Sequence, residues 1–408
     1  MNDRLRSDAD TITRAAIQAV MPQEAVKRAL DSIELKGNVY IVAVGKAAYS
    51  MAEAASKLVT YKRGIVITKY GHVKGSLDRI ECYEAGHPVP DENGISATKK
   101  ALELVESLAE DDTVLFLVSG GGSALFEAPL IQLEELQDIT QQLLRSGADI
   151  GEINTIRKRL SSVKGGRFAQ KIAPARVYSI ILSDIVGDPL DMIASGPTVP
   201  DTATCKMAGD IIDKYRIRLS DKAKELLDIE TPKEILNAEN VVIGSVKELC
   251  RAAGEASKEL GYEVHFLSDH ETGEAREVGS MLGEMARTHA NDGTKQAYIL
   301  GGETVVHLKG NGKGGRNQEI ACSAAKEISG IPNVAVFSVG SDGTDGPTDA
   351  AGGYVDGDTM DSLKDAGISF DKMFDNNDSY NILDSCNGLI ITGPTGTNVN
   401  DFSVVLIG

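Results

Sequence analysis

The sequence predicts two α/β domains, the first on a parallel sheet with helices on both faces and the second on a mixed sheet. Three observations lead there. Short apolar runs alternate with stretches of helical periodicity through the first half of the chain, the pattern of strand–helix crossovers. Several of those runs end in glycine turns that open a helix. At 408 residues the chain has length for two or three domains, each able to bury a core without disulfides.

Residues 8–35 carry apolar side chains at helical spacing, with a break near Pro22. NVYIVAVGKAAYSMAEAASKLV reads as a buried strand, a tight glycine turn and a helix. RGIVITKYG is a second strand, and IECYEAGHPVP a third segment closing in a proline-containing turn. A helix over NGISATKKALELVESLAE leads into the apolar strand and glycine turn of DTVLFLVSGGGSALFEAP. LEELQDITQQLLRSG is a further helix and RVYSIILSD another buried strand. The polar stretch DIETPKEILNAEN places the domain boundary near residue 238. The domains are then 1–238 and 239–408, with the extreme C-terminus a candidate to pack back on the first. The second opens with VVIGSVKELCRAAGEASKELG, and strands are expected at YEVHFLSD, QAYILGGE, VVHLKG, NVAVFSVGSDG, GLIITGP and DFSVVLIG. Thirteen of the 42 glycines fall between Gly301 and Gly357, a density that suggests backbone packed around ligands.

A net charge of −18 argues against a nucleic-acid or anionic-membrane partner, which needs a basic field. The five cysteines are scattered without a CxxC pair, and the histidines form no HExxH or HxH pattern, so neither a disulfide framework nor a zinc site is expected. The N-terminus is polar and no run approaches the ~20 apolar residues that span a bilayer. A cytoplasmic protein is expected, and the sequence leaves its oligomeric state open, a homodimer included.

Six segments carry chemistry. In VGKAA, Lys46 follows a strand where a helix begins, a position suited to a phosphate or carboxylate. In VSGGGSAL, Ser119, Gly120, Gly121, Gly122 and Ser123 can fold main-chain N–H groups around an anion, although a close-packed turn explains glycines too. NTIRKRLSSVKGGRFAQ holds Arg157, Lys158, Arg159, Lys164 and Arg167 with no acidic residue. Most of these charges are expected on a solvated face, with one or two available to an anionic substrate. SDIVGDPLD puts Ser183, Asp184 and Asp188 at a strand's carboxyl end, where open α/β sheets bind ligands. Asp184 suits Mg²⁺ or a base, or simply caps a turn. GGRNQE places Arg316 at a glycine-flanked helix start, where a guanidinium can fork onto phosphoryl oxygens. Gly314, Gly315 and Asn317 flank it as candidate contacts to the same bound group, and Glu303 and Glu319 are acidic neighbours able to orient it or bind metal. SVGSDGTDGPTDAAGG sets Asp342, Thr344, Asp345, Thr348 and Asp349 in a glycine-rich loop, hard oxygen donors that suit Mg²⁺ beside phosphate. Candidate metal ligands are Glu303, Asp342 and Asp345. Together these segments fit a phosphate-handling enzyme with its site in the cleft between domains. A dinucleotide site does not fit, because the first turn lacks GxGxxG and the second strand ends in Lys69 and Tyr70 without a ribose-binding acid.

The chain resembles the class II glycerate kinases, whose C-terminal part is the MOFRL domain. The resemblance runs over nearly the whole length. It rests on VAVGKAA, AGHPVPDENG, LVSGGGSAL, IRKRLSSVKGGRFA, LSDIVGDPLDMIASGPTVPD, GGETVVHLKGNGKGGRNQE and SVGSDGTDGPTDAAGG. It implies a Rossmann-like first domain, a MOFRL second domain and an active site in the cleft between them. It further implies ATP-dependent phosphorylation of D-glycerate with Mg²⁺, favouring 2-phosphoglycerate, with Lys46 and Arg316 as catalytic residues. Spacing alone does not choose between the 2- and 3-hydroxyl. A hydroxypyruvate reductase using NAD(P)H and a non-catalytic binder of a phosphorylated metabolite are the competing readings.

Overall fold

The computed structural model describes residues 2–408, and the chain divides into two compact units. One is Ala25–Ile243; the other joins the segment up to Glu24 with Gly244–Gly408.

The first unit carries β1 (Val39–Val44), β2 (Arg63–Lys69), β3 (Ile80–Ala85), β4 (Thr113–Val118), β5 (Arg176–Leu182) and β6 (Ala238–Gly244) in one sheet, ordered β3-β2-β1-β4-β5-β6. The pairings among β1–β5 are parallel. β4 is buried at every position, the near-continuous apolar run of a strand covered on both faces. Successive β1 side chains serve opposite faces: Val42 and Val44 join a core with Phe116, Phe126 and Phe168, while Ile41 and Ala43 join one with Leu115, Leu117 and Met51. Val44 pairs with Ile67 on one side and Val118 on the other. The turns after β2, β1 and β4 therefore emerge side by side.

The second unit carries β7 (Glu263–Glu271), β8 (Gln296–Gly302), β9 (Val334–Gly340), β10 (Gly352–Asp356), β11 (Leu389–Ile390) and β12 (Asp401–Ile407), ordered β11-β10-β9-β12-β8-β7. β7 and β8 are parallel and the other pairings antiparallel, so the sheet is mixed. Four expectations need correction. The expected boundary at 238 cuts into β6, which continues the first sheet. The segment up to Glu24 belongs with the second unit: on the helix Asp3–Ala19, Leu5, Ala9, Ile12 and Ala16 pack with Leu249, Ala253, Phe337 and Val339. The C-terminus is β12, buried throughout between β9 and β8, and does not leave its own sheet. VVHLKG is no strand, making only an isolated bridge from Val305 to Glu274. No helix among the described residues is long and apolar enough to cross a membrane.

Candidate active site

Two constellations emerge, one in each unit. The first lies along the carboxyl ends of adjacent parallel strands, where open α/β sheets bind ligands. Lys46 follows β1, two residues before the helix Ala48–Leu58. Its amide donates to the Gly120 carbonyl at 2.9 Å, and the next amide, of Ala47, donates to the buried Ser119 hydroxyl at 3.0 Å. The Lys46 carbonyl accepts from Thr68 Oγ1 at 3.3 Å and meets His72 Nδ1 at 2.9 Å. The turns after β1, β2 and β4 are thus tied together, and Lys46 is half-buried.

The three glycines after β4 each face a side chain. A Cβ at Gly120 would collide with the Asp184 carboxylate, and one at Gly122 would lie 2.7 Å from Ala194 Cβ. Gly121, at φ +86°, faces the His87 ring and the Lys46 stem. Close packing therefore accounts for all three glycines without an anion cradle. Their effect is to bring Lys46, Asp184 and His87 over one stretch of backbone. His87, from the AGHPVP segment, joins this group although no motif in the sequence singles it out. Ser123 does not face this group: its hydroxyl meets Ser195 Oγ at 2.9 Å, and its carbonyl accepts from Arg157 and Lys164 at 2.9 and 2.8 Å. Asp188 follows Asp184 in the loop after β5, with a buried Oδ1 and φ +52°. Ser183 bonds within its own turn to the Ile185 backbone.

The basic segment is not a solvated face. Arg159 and Lys164 are fully buried and Lys158 nearly so. Lys158 pairs with Asp191 and Asp201 at 3.1 and 3.2 Å, Arg159 with Asp201 and Glu230, and Lys164 with buried Glu127 at 3.6 Å. Arg167 donates to the Lys158, Arg159 and Ser161 carbonyls. Burial pulls the Lys164 ammonium down to about 8 against the support of Glu127. Lys158, Arg159, Lys164 and Arg167 are thus committed to partners inside the first unit, as buried charges must be.

The second constellation is built at the start of the helix Arg316–Glu327. Arg316 binds Asp401, at the start of β12, through Nε and through Nη2 at 3.1 Å, and Glu303, just after β8, through Nη1 at 3.0 Å. Burial works against its charge, but Asp401, Glu303 and Asp345 outweigh it and hold its pKa above the ordinary arginine value. Asp401 is buried and was not anticipated. Glu319, expected beside Arg316, instead pairs with Arg276 at 2.6 Å and accepts from Asn377 Nδ2.

Asp345 is the cap of this helix. Its two carboxylate oxygens accept the Asn317 and Gln318 amides at 3.2 and 2.9 Å, and Asn317 Nδ2 adds a third contact at 3.3 Å. With both oxygens so occupied and the residue 3% exposed, it does not suit the metal-ligand role expected of it. Asn317 is likewise turned inward, its Oδ1 accepting from Ser338 at 2.6 Å. Gly315 must be small because a Cβ would strike Asp345, and Gly314 because one would strike Ser379.

The preceding glycine loop is anchored by Asn376, Asn377 and Asp378, a segment without a chemical motif of its own. Asn377 Oδ1 accepts the Lys309 and Gly310 amides, Asn376 those of Asn311 and Gly312, and Asp378 that of Lys313. Above the loop lies a cavity of about 720 Å³ whose wall includes Gly314, Gly315, Arg316, Asp342, Thr344 and Pro347. That volume falls in the range of small-molecule and cofactor sites. Asp342 lines it while accepting the Thr344 amide at 2.9 Å. Among the described residues, no group of three or more His, Cys, Asp or Glu is placed to hold a metal.

The chain matches two family models, a domain of unknown function (DUF4147) over residues 8–228 and the MOFRL family over residues 296–401. It is 51% identical over 413 residues to a Thermotoga maritima protein named D-glycerate 2-kinase, covering 99% of each. An Agrobacterium vitis protein named putative hydroxypyruvate reductase is 38% identical over 407 residues, covering 97% of this chain and 92% of that one. A crystal structure titled glycerate kinase, from Thermotoga maritima, matches with a TM-score of 0.97 at 50% identity, covering 100% of both chains.

Proposed function

The chain belongs to the MOFRL family of glycerate kinases, and on that premise we propose that it transfers the γ-phosphoryl group of ATP to D-glycerate, giving 2-phosphoglycerate and ADP. The observation that carries this reading is the full-length match, at half identity, to a protein named for that reaction. The side chains supply what such a transfer needs. Lys46 is a mobile positive charge at the ligand-binding end of the first sheet, and Arg316 a fixed one on the cavity wall of the second unit. Each can offset negative charge on phosphoryl oxygens, which is what the transferring group needs as it moves. Arg316 engages carboxylates through Nε and both terminal nitrogens, so its orientation is fixed before ATP arrives. Asp184 accepts a hydrogen bond from a glycerate hydroxyl. The 720 Å³ cavity takes the nucleotide, with Gly314 and Gly315 approaching its phosphates.

Of the three expected metal ligands, Asp342 best fits Mg²⁺. Its carboxylate is on the cavity wall, whereas Glu303 is drawn to Arg316 and both Asp345 oxygens cap a helix. One carboxylate beside phosphate oxygens is an ordinary setting for this ion, and when bound it neutralises phosphate charge. ATP as donor favours a cytoplasmic setting. The reductase name of the Agrobacterium relative finds no support in the first turn, where Lys46 follows Gly45 directly and β2 ends in Lys69.

ADP release that depends on both D-glycerate and Mg-ATP tests the reading. Lys46→Ala and Arg316→Ala are each expected to lower kcat by at least ~10²-fold, the scale of losing one transition-state charge contact. Robust NAD(P)H consumption with hydroxypyruvate in the absence of ATP would sink it.

A further inference from the structure

The AGHPVP segment places His87 beyond the end of β3, in the same row as Lys69, Lys46, Gly121 and Asp184 at the ends of β2, β1, β4 and β5. Its ring lies directly against Gly121. A Cβ there would sit 2.9 Å from His87 Cδ2, 3.0 Å from Nε2 and 3.4 Å from Lys46 Cε. The imidazole edge and the lysine stem therefore share the space that glycine leaves open, and His87 is only half-buried. A ring nitrogen thus stands beside the lysine that meets the transferring group.

Resting on the kinase reading above, we propose that His87 is the general base of the reaction, taking the proton of the glycerate hydroxyl beside Lys46. The hydroxyl oxygen forms its bond to the γ-phosphorus, and the bond from that phosphorus to the β,γ-bridging oxygen breaks. Its electron pair leaves with ADP, and the hydroxyl proton passes to the imidazole and then to water. Two properties suit His87 to this. Burial, with Lys46, Lys69 and His72 nearby, holds its pKa below the ordinary histidine value, which favours the neutral ring with a lone pair to offer. A neutral base also brings no further negative charge toward an anionic phosphoryl group, whereas Asp184, over the neighbouring Gly120, would.

The test is the pH dependence of kcat/KM for D-glycerate in the full-length enzyme. His87→Gln is expected to lower kcat by at least ~10²-fold, to change the KM for D-glycerate less than threefold, and to abolish the acid limb of the profile. Added imidazole should restore part of the turnover of His87→Ala, which a merely structural role would not allow. Lys69→Met should move the acid limb of the parent to higher pH, because removing a neighbouring positive charge favours the imidazolium. Asp184→Asn should be slower but keep the limb. A His87→Gln enzyme with near-normal kcat, or one that keeps the limb while Asp184→Asn loses it, overturns the proposal and leaves the kinase reading intact. A parent enzyme that forms no ADP with D-glycerate overturns both.

Discussion

Arg316 and its partners show what a single residue requires to serve as a fixed charge. A guanidinium at a helix start is mobile unless its planar donors are engaged, and Asp401 engages two of them from the first position of β12. Asp401→Asn keeps the shape but loses the charge, so kcat should fall about tenfold through misplacement of Arg316. The Arg316→Ala/Asp401→Asn double variant should be no slower than Arg316→Ala alone, since coupled residues are not additive. Steady-state kinetics on the three variants checks this. Arg316 was legible because its glycine-flanked helix start is local in sequence. Asp401 lies 85 residues away, and its only signal was an acid opening an otherwise apolar terminal run. Lys164 shows the opposite error, since a count of basic residues reveals nothing of the carboxylates that fold onto them. Lys164→Met should cost about 3 kcal/mol by leaving Glu127 buried without its nearer cation. The ammonium is held down to about 8 in the folded chain against an ordinary 10.5. Between those pH values the unfolded chain binds more protons, so this group's contribution to stability rises with pH across that window and is lost as pH falls through 8. Urea unfolding at pH 8 and pH 10 should show that rise in the parent and its loss in Lys164→Met.

For the helix Arg316–Glu327, the decisive feature lies outside it. Its first amides are capped by Asp345, from a loop after β9, and the glycine loop before it is held by Asn376, Asn377 and Asp378. The two acidic candidates of the SDGTD segment therefore separate cleanly. Asp345→Ala should lower stability by about 1–2 kcal/mol, as loss of a cap does, seen as a lower Tm. Asp342→Asn should leave Tm within about a degree while raising the Mg²⁺ concentration needed for half-maximal rate. The sequence places both in one acidic loop and cannot tell them apart, because only the fold decides which carboxylate turns inward. The same limit explains the strands. Buried runs such as TVLFLV were legible from apolar content alone. β10 was not, since it opens with two glycines pressed against Ser338 and Leu383, and VVHLKG has strand composition without a neighbour to pair with along its length.

Across the whole molecule, the division into a parallel-sheet unit and a mixed-sheet unit was readable from the alternation of strands and helices. Membership of the N-terminal helix was not, because an amphipathic helix states that it must be covered but not by what. Here its apolar stripe is covered by the helix Val246–Glu259 and by β9. Ile12→Asp places a charge at a fully buried position and should destabilise the second unit by about 4 kcal/mol or more. Hydrogen exchange should quicken in β9 and the helix Val246–Glu259, with β1–β5 unchanged. The opening glycine count also takes on a definite meaning: SGGG makes room for Lys46, Asp184 and His87, and GG at 314–315 for Ser379 and Asp345. These glycines are spacers for the side chains of two polar clusters, one in each unit of an acidic protein. The central claim is the identity of the product formed there. Incubating the enzyme with D-glycerate and Mg-ATP, then adding enolase without phosphoglycerate mutase, tests it most directly. Phosphoenolpyruvate formation in step with ADP is the expected result; ADP with no phosphoenolpyruvate until mutase is added, or no ADP at all, would contradict it.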